Sequence, residues 1–233
     1  MTDKTALPDR ADFAHVSEWV FDLDNTLYPH HVDLFAQIDR NMTAYVADML
    51  DLGLEDARKL QKQYYHEHGT TLRGLMHHHG IDPAGFLDAA HRIDYSPVPA
   101  DEGLSAAIKA LPGRKFIFTN GTVKHAEAAA RALGILDHFE DIFDIVAADY
   151  VPKPAGATYD KFASLHRVET RKAAMFEDLP RNLIVPKLLG MKTVLIVPSA
   201  AHQPLERWEI PDDNDDNIDH MTSDLTAFLN AVA

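Results

Sequence analysis

A chain of 233 residues can form one large domain or a core with a small insert. At 46% hydrophobic and 25% charged residues, a wholly disordered chain is excluded. The formal net charge of −14, from 22 basic and 36 acidic residues, disfavours a nucleic-acid polymer as partner, because a phosphate backbone calls for clustered cations. It leaves room for a small phosphorylated ligand, since one lysine and a metal ion can overcome the global field locally. No apolar run approaches the eighteen residues of a membrane span, so no membrane association is expected. The sequence has no cysteine, which excludes disulfides and thiolate chemistry. With no secretory leader pattern at the N-terminus, the expected compartment is the cytoplasm.

In chain order, residues 1–12 read as a loose polar tail. Ser17–Leu23 turns apolar and meets Asp-Asn-Thr, the pattern of a buried strand ending in a loop. From about Val32 to Pro97 the periodicity is helical, with Leu34, Ile38, Met42 and Tyr45 on one stripe. Residues 32–97 are therefore expected to form a helical insert, and Tyr95–Ala100, rich in proline, its return hinge. The apolar runs Lys115–Phe118, Ile142–Ala147, Ala173–Phe176 and Thr193–Val197 read as further strands. Helical patterns fall between them at Leu104–Leu111, Val123–Leu133, Ala157–His166 and Leu183–Leu189, the last stopping before Gly190 but carrying Pro186 inside it. Strands alternating with helices indicate an α/β fold, a Rossmann-like parallel sheet covered on both faces, with residues 13–31 and 98–233 as its core. The acidic run Asp212–Asp216 lacks calcium-loop spacing and reads as a solvated loop.

Ligands of such sheets sit at the carboxyl ends of the strands. Four polar clusters fall at or near those ends: Asp22-Leu-Asp24-Asn-Thr26, Thr119-Asn120, Lys153-Pro154 and Glu177-Asp178. Each alone is also an ordinary turn, cap or surface lysine; their joint order carries the reading. A phosphate monoester is anionic and resists an anionic nucleophile. A divalent ion held by Asp22 and Asp178 relieves that repulsion, and hard oxygen ligands favour Mg2+. Asp22 can then attack phosphorus, with Asp24 protonating the leaving oxygen and later activating water. Thr119 and its neighbouring amides, with Asn120, would bind phosphoryl oxygens, and Lys153 would add fixed positive charge.

The order Asp22-x-Asp24-x-Thr26, Thr119, Lys153, Glu177-Asp178 resembles the four motifs of haloacid dehalogenase-like hydrolases. The resemblance covers about residues 15–31 and 100–200, and the helical insert sits where these enzymes carry a cap. It implies a magnesium ion, an aspartyl-phosphate intermediate on Asp22, Asp24 as general acid and base and as a backbone-carbonyl ligand of the metal, and Asp178 as a further metal carboxylate. The second acid implies a phosphatase or mutase, because dehalogenases of this superfamily lack it. Phe21–Pro29 (FDLDNTLYP), Tyr65–Met76 (YHEHGTTLRGLM) and Glu177-Asp178-x-x-x-Asn182 are similar to the pyrimidine 5′-nucleotidase group, implying nucleoside monophosphates as substrates. Alternatives are a sugar phosphate or phosphoglycolate, and a catalytically silent binding protein of the same fold. On the insert, His66, His68, Thr70 and Arg73 form a polar patch expected to touch the leaving group, the other reading being solvated histidines. His77-His78-His79 are expected in a solvated loop, since consecutive helical residues diverge and rarely share one ion. His30 and His31 stand just past the nucleophile loop, near enough to border its mouth.

Overall fold

The computed structural model describes residues 4–198 and 216–233. Its centre is β1 (Glu18–Phe21), whose four residues are all buried. That fits a strand covered on both faces, and side chains alternate across it. Trp19 and Phe21 point into one hydrophobic cluster and Val20 into another. Strands β2 (Arg114–Phe118) and β4 (Ala173–Glu177) flank β1 in parallel, with Phe21 registered against Ile117 and Phe176. Adding β3 (Asp141–Phe143), β5 (Lys192–Ile196) and β6 (His220–Thr222) completes the order β3-β2-β1-β4-β5-β6. The order reverses between β1 and β4, so a crevice opens at their carboxyl ends. Asp22 and Asp178 immediately follow those two strands.

Helices α1 (Arg10–Phe13), α6 (Glu102–Ala110), α7 (Val123–Leu133) and α10 (Leu225–Val232) cover the Trp19 and Phe21 face, contributing Phe13, Ile108, Ala130 and Phe228 to its cluster. Helix α8 (Gly156–His166) covers the Val20 face through Tyr159 and Phe162. Gly113 shapes the turn into β2. Its φ is +78°, and a Cβ there would lie 2.1 Å from the Ser17 carbonyl oxygen, so only glycine fits.

Between β1 and α6 lie α2 (Leu34–Leu50), α3 (Leu54–His68), α4 (Thr71–His79) and α5 (Pro83–Ala90). Ile38, Val46, Ala57, Tyr64, Leu72, Leu75, Phe86 and Leu87 form a third cluster, which also takes in Ile145 after β3. Helices α3 and α4 pack so closely that a Cβ on Gly74 would lie 2.4 Å from Cβ of Tyr64.

The α/β Rossmann-like fold expected from the sequence is the one observed, with local differences. The run at 142–147 is a strand only to Phe143, because the Asp144 carboxylate accepts from Val123 N at 3.0 Å and Ala147 N at 2.8 Å and turns the chain. β6 escaped the pattern because it is a three-residue strand carrying His220 and Thr222, with no apolar run. The single helix expected at 183–189 is a 3-10 turn, Pro180–Leu183, followed by α9 (Ile184–Leu188). From Lys4 on, the tail is ordered near the core: Asp9 caps α1, Lys4 O accepts from Met221 N at 2.7 Å, and just past the tail Phe13 stacks on Trp19 with centroids 6.1 Å apart. His77–His79 are the last turn of α4, ended by Gly80 at φ +63°, and not a loop. Residues 212–215 of the acidic run lie outside the described residues.

Candidate active site

Lys153 organises the crevice. Its ammonium is buried and has three donors, and all three are used: 2.7 Å to Asp22 Oδ1, 2.8 Å to Glu177 Oε1 and 2.7 Å to the Phe118 carbonyl at the end of β2. Burial alone would favour the neutral amine. The Asp22 and Glu177 carboxylates outweigh it and hold the Lys153 pKa above its ordinary value. Asn120 braces this lysine by a reciprocal pair: its Oδ1 accepts from Lys153 N at 2.9 Å, and its Nδ2 donates to Lys153 O at 3.3 Å.

Carboxylate oxygens of Asp22, Glu177 and Asp178 all lie within 4.8 Å of one another. Burial, followed by neighbouring acids, drives two of them toward protonation. The Asp22 pKa is raised by burial, drawn back by Lys153 and pushed up again by Glu177 and Asp24. Asp178 is raised well above the carboxylate range by burial, Glu177 and Asp22. Glu177 is already committed: Oε1 also accepts from Asn182 Nδ2 at 2.7 Å and Oε2 from Leu179 N at 2.8 Å. Asp22 and Asp178 keep oxygens toward the crevice, as hard donors that fit a divalent cation. Asn25, in the left-handed region at φ 61°, places its amide 3.5 Å from Asp178 Oδ2.

The Asp24 carboxylate lines the same cavity and is held by partners of its own. Its Oδ1 accepts from Tyr28 OH and from His125 Nε2, the latter at 2.8 Å. An ionised carboxylate only accepts, so Nε2 of His125 carries a proton toward it, while Nδ1 of the same ring lies 2.9 Å from Tyr95 OH. Burial opposes the charge on Asp24, but His125 and Tyr28 overcome it and lower its pKa. His91 stacks on His125 at 4.8 Å, and burial, with the His125 charge, pushes it down to about 4. Thr119, buried just after β2, accepts from Gly121 N at 2.9 Å through Oγ1 and keeps its O–H as a donor. It shapes the loop, and the cavity wall is formed there by Asn120 and Gly121.

A family model for haloacid dehalogenase-like hydrolases matches residues 20–190. The chain belongs to this hydrolase family. At 28% identity over 152 residues it is similar to "Phosphate metabolism protein 8" of Saccharomyces cerevisiae, covering 60% of this chain and 46% of that one. The chain thus spans about half the length of this curated relative. Among solved structures, it superposes on L-2-haloacid dehalogenase of Xanthobacter autotrophicus with TM-score 0.61 and 15% identity, over 93% of this chain and 98% of that one. The magnesium-bound HAD-hydrolase YfnB of Bacillus subtilis gives TM-score 0.57 at 15% identity, over 93% and 98%. At these identities the superpositions establish the fold.

In this haloacid dehalogenase-like hydrolase, one cavity runs from Asp22, Asp24, Lys153 and Asp178 to the helical insert. Its far wall is apolar, with Phe35, Ile38, Met42, Phe86 and Leu87. Of the insert residues expected there, Thr70 lines the cavity and also caps α4, accepting from Arg73 N at 3.2 Å. His66, His68 and Arg73 do not line it. On α3 the inward face holds Gln61, Lys62 and Tyr65, and the next residue turns about 100° away, which carries His66 outward. His68 instead meets His78, with 3.0 Å between their Nε2 atoms, and Arg73 is exposed. His31 does not line the cavity either, and the His30 side chain is outside the described set.

The polar groups sequence reasoning missed are Asp39, Tyr28, His91, His125 and Arg181. Asp39 binds Gln61 Nε2 at 2.7 Å, Lys62 Nζ at 2.9 Å and Arg58 Nη1 at 2.7 Å. The Arg181 guanidinium stacks over Tyr65 at 4.4 Å, joining the core to the insert, and its buried Nε has no hydrogen-bond partner among the described residues. One signal was available for His125. It sits three residues after the helix-capping Thr122, one turn from the Thr119-Asn120 loop, where a buried helix start faces the strand ends.

Proposed function

We propose that the protein is a phosphomonoesterase acting through an aspartyl-phosphate on Asp22. The carrying observation is the presence of Asp24 in the crevice, beside Asp22 and held by His125 and Tyr28. A reaction that expels an alkoxide requires a proton donor there, and dehalogenation does not. The yeast relative's name, which places that protein in phosphate metabolism, agrees with this reading.

Lys153 keeps Asp22 aimed and offsets charge on the transferred group. Asp22 and Asp178 would hold Mg2+, which when bound supplies a positive charge between nucleophile and phosphate. An Asp22 oxygen bonds to phosphorus as the ester P–O bond breaks, and the leaving oxygen takes a proton from Asp24. For this step Asp24 must enter with a proton taken from solvent, and His125 Nε2 and Tyr28 OH, in hydrogen-bond contact with it, hold its carboxyl in place. Asp24, again a carboxylate, then takes a proton from water as that water attacks phosphorus, freeing Asp22 and inorganic phosphate.

Residues 32–97 would serve as the cap that closes on the leaving group. Apolar walls with Tyr65 and Arg181 at their edge suit a flat, partly polar leaving group, which supports the pyrimidine nucleoside monophosphate reading over sugar phosphates or phosphoglycolate. Arg181 Nε supplies an unspent donor for a base carbonyl. A cytoplasmic location is part of the same proposal.

A panel of nucleotides, sugar phosphates, phosphoglycolate and para-nitrophenyl phosphate, with Mg2+ or EDTA, tests this. Release of inorganic phosphate, abolished by EDTA and restored by Mg2+, is expected, with UMP or CMP leading. Conversion of 2-chloropropionate without phosphatase activity would establish the dehalogenase reading instead. Isomerised phosphate ester without free phosphate would establish a mutase.

A further inference from the structure

The corner between α3 and α4 gathers groups that the reaction does not use. Three consecutive histidines end α4, and as neighbours on a helix they diverge. His79 Nε2 lies 2.8 Å from Tyr64 OH. His78 turns toward α3, where its Nε2 lies 3.0 Å from Nε2 of His68. Glu67 Oε2 lies 3.8 Å from the same His68 nitrogen. One ligand atom from each of Glu67, His68 and His78 falls within 4.8 Å of the others.

We propose that Glu67, His68 and His78 form a metal site on the helical insert, separate from the acidic crevice, that takes a borderline divalent transition metal such as Zn2+ or Co2+ and clamps α3 to α4. The ligand chemistry points to the ion: two imidazoles and one carboxylate are the donor set of many zinc sites, whereas Mg2+ prefers oxygen alone. The spacing points the same way. Two nitrogens bound at about 2.0–2.1 Å with tetrahedral geometry sit roughly 3.3 Å apart, close to the 3.0 Å found here. The His78 ring is held by a parallel stack on Tyr64, with centroids 5.0 Å apart and planes 11° apart.

The position gives such an ion leverage. The next residue after His68, Gly69, lies so near the loop before Lys153 that a Cβ would stand 3.3 Å from Pro152 Cγ. Thr70 and Thr71 then line the cavity. A clamp at this corner would stiffen the wall that faces Lys153.

The test is a Co2+ titration of the full chain without an affinity tag, in excess Mg2+ to occupy the acidic crevice. Visible absorption and equilibrium dialysis count the bound cobalt. Wild type should bind one more Co2+ than His68→Ala, His78→Ala or His78→Asn, and His15→Ala, altered at an exposed residue far along the chain, should match wild type. Zn2+ should raise the melting temperature of wild type and not that of the three site variants, whose circular dichroism checks that they fold. Equal cobalt counts in wild type and the site variants, or no cobalt bound by wild type under excess Mg2+, would overturn the proposal.

Discussion

Replacing Lys153 with methionine keeps an unbranched stem while removing the ammonium, which lies 5.1 Å from the Phe118 ring centroid. Asp22 and Glu177 would then face each other unpaired, and the Phe118 carbonyl would lose its donor. Removing one partner of a buried ion pair costs about 3–5 kcal/mol, because a desolvated charge is left behind. In a chain of this length that corresponds to a melting temperature lower by roughly 6–20 °C. Most of the cost belongs to the stranded acids, so Lys153→Met with Glu177→Gln should be more stable than Lys153→Met alone, although Glu177→Gln destabilises the wild-type background. Urea unfolding of the four proteins in EDTA gives the coupling energy directly. A Lys153→Met protein within about 1 kcal/mol of wild type, or additive effects of the two substitutions, would refute the claim that this lysine holds the acids together.

Other expectations follow from the same geometry. Asp24→Asn should slow alkyl phosphates more than activated aryl phosphates, because only the former need a proton on the leaving oxygen; equal losses would deny its acid role. Gly113→Ala should cost about 1–3 kcal/mol from backbone conformation alone, with the clash against Ser17 O adding to it, and a melting curve matching wild type would refute that contact. Burial raises the Asp39 pKa, but Lys62 and Arg58 outweigh it and the net shift is downward. Its stabilisation is therefore present above the pKa of the unfolded chain and fades as pH falls through the lower folded value. Asp39→Asn should be less stable than wild type by about 1–3 kcal/mol at neutral pH, and the gap should close in acid. A gap that stays constant with pH would show that the ion pairs contribute nothing.

How much of this was legible depends on whether local pattern or tertiary contact decides the position. Asp22, Asp24, Thr119 and Glu177-Asp178 each follow an apolar run, and a parallel sheet delivers such positions to one edge whatever the connecting helices do. Their convergence could be read from the sequence for that reason. Lys153 follows a turn containing Asp149 and Tyr150 at positive φ, and only its place in the order of clusters marked it. The insert was harder. Helical periodicity shows that α3 has an apolar face but leaves open which polar neighbours tilt inward, so Gln61, Lys62 and Tyr65 took the place expected for His66 and His68. The Tyr28, His91 and His125 cluster around Asp24 joins residues from three distant segments, and no local pattern marks it.

The central claim is that Asp22 becomes covalently phosphorylated. Acid-quenching the enzyme during turnover of its best phosphate ester, followed by peptide mass spectrometry, tests it most directly. The peptide containing Asp22 should carry one hydroxylamine-sensitive phosphoryl group, absent when Asp22→Asn is treated in the same way. Phosphate release at full rate with that peptide unmodified, or undiminished turnover by Asp22→Asn, would contradict the account.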